Sequence, residues 1–104
     1  MHRLGFKMKL HAGKAEEYKR RHDELWPELG QLLKDSTVSD YSIFLDKETN
    51  ILFGTLKVED LEKFNQIPQN PITKRWWKYM ADIMDTNPDN SPVSVDLKDV
   101  FYLA

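Results

Sequence analysis

The 104-residue sequence contains no cysteine. That absence excludes disulfides, thiolate nucleophiles and zinc sites built on cysteine. Histidine is scarce too, and His2, His11 and His22 match no metal-ligand spacing, so no metal is expected. Glycine is limited to four residues, and none of them builds a phosphate-cradling loop. Neither a Ser-His-Asp arrangement nor a pair of inward carboxylates can be discerned. Nucleotide use, acyl transfer and ordinary glycoside hydrolysis therefore lack support. The 15 basic and 17 acidic side chains are spread along the chain and leave a net charge of -2, so no field attracts a polyanion and nucleic acid is not an expected partner. Apolar runs fall far short of a membrane span, and the amino terminus lacks the apolar core of a signal peptide. The expected setting is the cytoplasm, away from membranes.

Hydrophobic residues at 40% and charged residues at 31% describe an ordinary globular chain, and its length suits one compact domain over 1–104. Leu4, Phe6, Met8 and Leu10 alternate with Arg3, Gly5, Lys7 and Lys9, the period-two pattern of a strand with one buried face. Two further β-rich runs, 38–45 and 51–58, flank the five-residue loop Asp46-Lys47-Glu48-Thr49-Asn50, which predicts an antiparallel hairpin. A short polar helical segment over 59–66 and a helix over 72–84 follow. Asn87-Pro88-Asp89-Asn90-Ser91-Pro92 is turn-rich, and residues 97–103 suggest a last strand.

With a helix over 14–34 after the first strand, the order is βαββαβ, the ferredoxin-like α+β arrangement, with helices on one face of an antiparallel sheet. Phe44 and Phe53 belong to the opposite face. Such an apolar surface is too large for a comfortable monomer, which predicts a homodimer in the form of a dimeric α+β barrel.

On the first helix Tyr18, His22, Leu25, Leu29 and Leu32 fall on one stripe at 3.6 residues per turn, while Glu16, Lys19, Asp23 and Lys34 fall on the other side. Pro27 has no amide hydrogen to give to Asp23, so a kink or a fresh first turn is expected there. An inward imidazole beside a phenol places a group that titrates near neutrality inside a small enclosed site. A hydrogen-bonded core histidine is the plainer reading of the helix alone.

The later helix adds Trp76 and Trp77 to the half that faces the sheet. Tyr41 joins the same cleft if Ile43 and Leu45 are core. Broad aromatic walls suit a sugar, because C–H groups rest on ring faces while phenol and indole groups reach hydroxyls. A bulky core is an equally good account of the tryptophans from periodicity alone. Lys19-Arg20-Arg21 and Lys74-Arg75 are expected to be solvated helix faces.

At these residues the chain resembles the L-rhamnose mutarotase family. The resemblance runs through Glu17-Tyr18, Arg20-Arg21-His22, Leu25-Trp26-Pro27-Glu28-Leu29, Tyr41-Ser42-Ile43, Arg75-Trp76-Trp77-Lys78-Tyr79-Met80, the 87–93 loop and Val100-Phe101-Tyr102-Leu103. It spans essentially the whole chain, with no departure at a functional position. It implies a homodimeric, cofactor-free isomerase of the bacterial cytoplasm that interconverts the α and β anomers of L-rhamnose in rhamnose catabolism. By the resemblance, His22 is the proton donor, and Tyr18, Tyr41, Trp76 and Trp77 bind the sugar. The second proton carrier stays open between Tyr18, a water and His22 acting in turn. Two other functions stand beside this one: a monooxygenase-like or haem-handling dimeric barrel, and a non-catalytic sugar-binding dimer.

Overall fold

The computed structural model describes residues 1–104. Its elements are β1 (His2–Lys9), α1 (Ala15–Asp23), α2 (Pro27–Asp35), β2 (Val38–Asp46), β3 (Ile51–Val58), α3 (Leu61–Asn65), a 3₁₀ turn (Ile67–Gln69), α4 (Pro71–Met80) and β4 (Ser94–Leu97). The four strands form one antiparallel sheet in the order β2-β3-β1-β4, as the ferredoxin-like arrangement requires.

Alternation along β1 sets the inner face. Leu4, Phe6 and Met8 pair with Leu56, Gly54 and Leu52 of β3, and Ile43 and Leu45 of β2 pair with Gly54 and Leu52. Over this face lie Tyr18, Met80, Ile83 and Met84, which with Met8, Leu10 and Leu52 form one buried cluster. Val38, Leu56 and Val58 form a second, under Leu33, Leu61, Phe64 and Ile67.

Gly54 is where the inner face has no room for a side chain, because a Cβ there would stand 2.3 Å from Cζ of the Phe6 ring. Gly54→Ala should therefore displace Phe6 and cost about 1–3 kcal/mol, the usual penalty of overpacking. Chemical denaturation of the variant checks this, and an unchanged midpoint would refute it.

Val38 and Ile43 both face the helices although they are an odd number of residues apart. A β-bulge reconciles them: the pairing shifts by one between Ser39 and Ser42, with Asp40 in the left-handed region at φ 47° and its carboxylate 2.9 Å from Lys57. The extra residue puts Tyr41 on the inner face, edge-on to Phe6 with ring centroids 6.2 Å apart.

Three boundaries differ from the sequence-based expectation. The 14–34 helix is two helices. Trp26 is extended at φ -57° and ψ 128°, as a residue before proline prefers, and Pro27 opens α2 at its first position. The later helix stops at Met80, since the next residues bond to the end of β1: His11 N–H donates to the Ile83 carbonyl at 2.9 Å, and Asp85 N–H donates to the Lys9 carbonyl at 3.0 Å. The last strand is Ser94–Leu97, pairing only with Gly5 to Met8 of β1. Further on, the Asp99 carboxylate accepts the Phe101 N–H at 3.1 Å, a local turn that competes with strand pairing.

On the outer face Phe44 pairs with Phe53, and Phe44, Val95 and Leu97 are 67%, 51% and 40% exposed.

Candidate active site

Tyr18 and His22 are one turn apart on α1, and their rings stack with centroids 4.3 Å apart and planes 29° from parallel. Tyr18 is buried in the core cluster, and His22 is half-buried at its edge. The His22 Nδ1 lies 3.0 Å from the Tyr18 carbonyl oxygen. A carbonyl only accepts, so Nδ1 carries the hydrogen and Nε2 presents its lone pair when the ring is neutral. Nε2 has no hydrogen-bond partner within the protein.

Burial holds the His22 imidazole below its ordinary value of 6.5, against the opposing pull of the Tyr18 carbonyl and the Asp23 charge. At neutral pH the ring is therefore uncharged. The phenols are shifted the other way. Burial, with the neighbouring Tyr41 phenol, raises Tyr18 well above its ordinary range, and burial pushes Tyr41 up to about 12. Tyr41 still keeps 41% of its surface open to water, so solvent offsets part of that upward push. Both phenols therefore keep their protons near neutrality.

The tryptophan helix supplies the facing wall. Asn70 caps α4 by accepting the Ile72 N–H at 2.9 Å, and Pro71 opens its first turn. Trp76 stands edge-on to His22, with centroids 5.4 Å apart and planes 88° from parallel. Trp77, one residue on, is half-buried and makes no ring contact with this group. Of the five expected site residues, Tyr18, His22 and Trp76 are in direct ring contact, Tyr41 packs edge-on to Phe6 rather than on these rings, and Trp77 makes no ring contact with them. His22 and Trp76 are only partly buried, so the rings make a half-open wall. Two surface depressions of about 550 and 500 Å³ lie elsewhere, one beside Leu32, Asp35 and Asn70, the other over Glu16, Glu17 and Arg20.

Arg21 corrects one expectation. It is 8% exposed rather than part of a solvated face. Its guanidinium donates to Glu17 at 2.6 Å, to both Asp82 oxygens at 2.8 and 3.2 Å, and to the Tyr79 carbonyl at 2.7 Å. That carbonyl is in the last turn of α4, where carbonyls lack helix partners and a cation is favoured. Arg21 thus ties the helix of His22 to the helix of Trp76. It lies at the molecular edge, covered by the very side chains that bind it. Arg20 and Arg21 together hold the Glu17 carboxyl down at about 2, so its share of this stabilisation is complete above its ordinary 4.5 and is lost as pH falls toward 2.

Two aromatic members were missed from periodicity. Trp26, between α1 and α2, is edge-on to Trp76 at 5.1 Å, and Tyr79 lies 5.5 Å from Trp26 and 5.6 Å from Trp76. The usable signals were Pro27, which turns the preceding residue out of helical geometry, and the i,i+3 spacing of Trp76 and Tyr79.

Comparison with known proteins identifies the family of the chain. The family profile described as L-rhamnose mutarotase matches residues 3–103. An L-rhamnose mutarotase of Formosa agariphila is 58% identical over 103 residues, covering 99% of each chain, and one of Listeria monocytogenes is 54% identical over 104 residues, covering 100% of each. A crystal structure of L-rhamnose mutarotase from Formosa agariphila superposes with a TM-score of 0.94 at 57% identity, covering 100% of both chains. A conserved protein of Methanosarcina mazei shares the fold at 16% identity, with a TM-score of 0.63 over 94% of this chain and 91% of that one.

Proposed function

This chain belongs to the L-rhamnose mutarotase family, and from that premise we propose that it interconverts the α and β anomers of L-rhamnose, with His22 moving the proton. The supporting observation is the His22 ring itself: Nδ1–H is tied to the Tyr18 carbonyl, and Nε2 is left without a protein partner beside Tyr18 and Trp76.

Opening the sugar ring requires a proton to leave the anomeric hydroxyl and one to reach the ring oxygen. Neutral His22 accepts the anomeric proton on Nε2. The C1–O bond to the ring oxygen then breaks, its electron pair going to that oxygen, while C1 and the anomeric oxygen become a carbonyl. Nε2–H returns the proton to the ring oxygen, so no net proton is consumed. Rotation about C1–C2 offers the other carbonyl face, and the same steps in reverse close the second anomer. Both oxygens are bonded to C1, within reach of one nitrogen. His22 is thus acceptor first and donor second, and the phenols, which keep their protons, hold sugar hydroxyls in place. Trp76 offers a ring face to the C–H groups and the methyl, and Trp77 is the further sugar-binding residue on the same helix.

The working unit in this reading is a cytoplasmic homodimer of single-domain chains covering residues 1–104, serving rhamnose catabolism. The exposed outer sheet face, with Phe44 67% open to water, supports burial against a second copy. NMR saturation transfer between the anomeric protons should show protein-dependent exchange, fastest for L-rhamnose among a panel of aldoses. Binding without faster exchange would instead identify a non-catalytic sugar-binding dimer.

A further inference from the structure

Trp26 lies outside the five sugar-site residues of the proposed function, and its placement has a definite cause. Pro27 ends the helical path, and the residue before it takes an extended conformation at φ -57° and ψ 128° between α1 and α2. There the Trp26 indole meets Trp76 edge-on, with centroids 5.1 Å apart and planes 88° from parallel. His22 meets the same Trp76 ring at 5.4 Å and also 88°. Two perpendicular neighbours therefore fix one indole. Trp26 is itself held, since Tyr79 packs on it at 5.5 Å with planes 30° apart, and the Arg21 guanidinium lies 4.5 Å from the centre of the Tyr79 ring. The belt runs Tyr18, His22, Trp76, Trp26, Tyr79, Arg21, and its last member adjoins His22 in the chain.

We propose that Trp26 is a positioning residue for sugar recognition, fixing the plane of the Trp76 indole against His22, and that the helix break at Pro27 serves to place it. The proposal rests on Trp76 facing the sugar. A free indole samples several orientations, and holding it in the one that receives a sugar face removes that cost from binding. Loss of Trp26 should therefore act through Trp76, mainly on KM.

A double-mutant cycle on the full-length protein tests this, using L-rhamnose as the probe and saturation transfer to separate KM from kcat. Trp26→Leu, which fills space without an aromatic edge, should raise KM roughly 3- to 10-fold, with the loss carried by KM rather than kcat. Trp26→Phe should restore most of the affinity. In a Trp76→Ala background Trp26→Leu should have no further effect, whereas a purely structural residue would add its loss to that of Trp76. Trp26→Phe keeps a ring at the position, so it remains informative if the leucine variant folds poorly: KM between wild type and Trp76→Ala supports the proposal, and KM equal to that of Trp76→Ala contradicts it. Additive effects, or an unchanged KM in Trp26→Leu while Trp76→Ala raises KM, would overturn the inference and leave the sugar site standing. An unchanged KM in Trp76→Ala would remove the sugar-facing reading of Trp76 and this inference with it.

Discussion

His22→Ala should lose roughly 10²- to 10⁴-fold in L-rhamnose anomer exchange while still binding the sugar. The size follows from what is removed. Nε2 is a single lone pair, aimed by the bond from Nδ1 to the Tyr18 carbonyl, and neither phenol can replace it as a base because burial keeps both protonated. Sugar affinity survives, since Tyr18, Tyr41 and the tryptophans remain. His22→Gln is a useful companion: its amide still forms hydrogen bonds but cannot carry a proton near neutrality, so it should be nearly as impaired as alanine. Saturation transfer between the anomeric protons reads exchange, and the substrate dependence reads binding. Exchange within a few-fold of the wild type in either variant would remove His22 from the chemistry.

Arg21→Ala should lower folding stability by about 2–3 kcal/mol, whereas Arg20→Ala has a much smaller effect. The two arginines are adjacent and both paired, yet their surroundings differ. The Arg20 side chain is 54% exposed and its partners are Glu17 on the same helix and Glu24 just past its end, so water competes for every bond. Arg21, with its side chain only 9% exposed, joins α1 to the end of α4 and packs against the Tyr79 ring. Its partner carboxylates stay hydrated when it is lost, which keeps the cost at the lower end for a covered ion pair. Arg21→Lys should recover little, because an ammonium cannot span both Asp82 oxygens and the Tyr79 carbonyl. Thermal unfolding followed by circular dichroism should show a fall of about 10 °C for Arg21→Ala. Equal effects at positions 20 and 21 would contradict this account of the helix tie.

How legible these features were depends on whether a residue's surroundings are local in the chain. The alternation from Leu4 to Leu10 and the two runs flanking the 46–50 loop are local patterns, and each corresponds to an observed element, whereas the Tyr18-His22-Leu29 stripe is divided between α1 and α2 by the break at Pro27. The bulge at Asp40 was hidden because the phase change it makes is visible only when Val38 and Ile43 are both seen to face the helices. The ends of α4 and β4 were misplaced for a related reason. Ile83 and Met84 continue the helical stripe but are claimed by pairing with His11 and Leu10, just past the end of β1, and Val100 to Leu103 have strand composition without a strand beside them. Arg21 looked solvated because its partners Asp82 and Tyr79 are about sixty residues away. Trp26 carried its signal in plain view, in the proline that follows it. That signal marked a break in the helix but said nothing about which ring the tryptophan would meet.

The most direct measurement is the pH dependence of L-rhamnose anomer exchange, corrected for the rate without protein and set beside an NMR titration of the His22 ring. A ring that enters each cycle neutral gives exchange that is level around neutrality and falls as pH drops through a midpoint below 6.5, coincident with the titration of His22 itself. Exchange that instead rises as His22 gains its proton, or that ignores that titration altogether, contradicts a proton carried by Nε2.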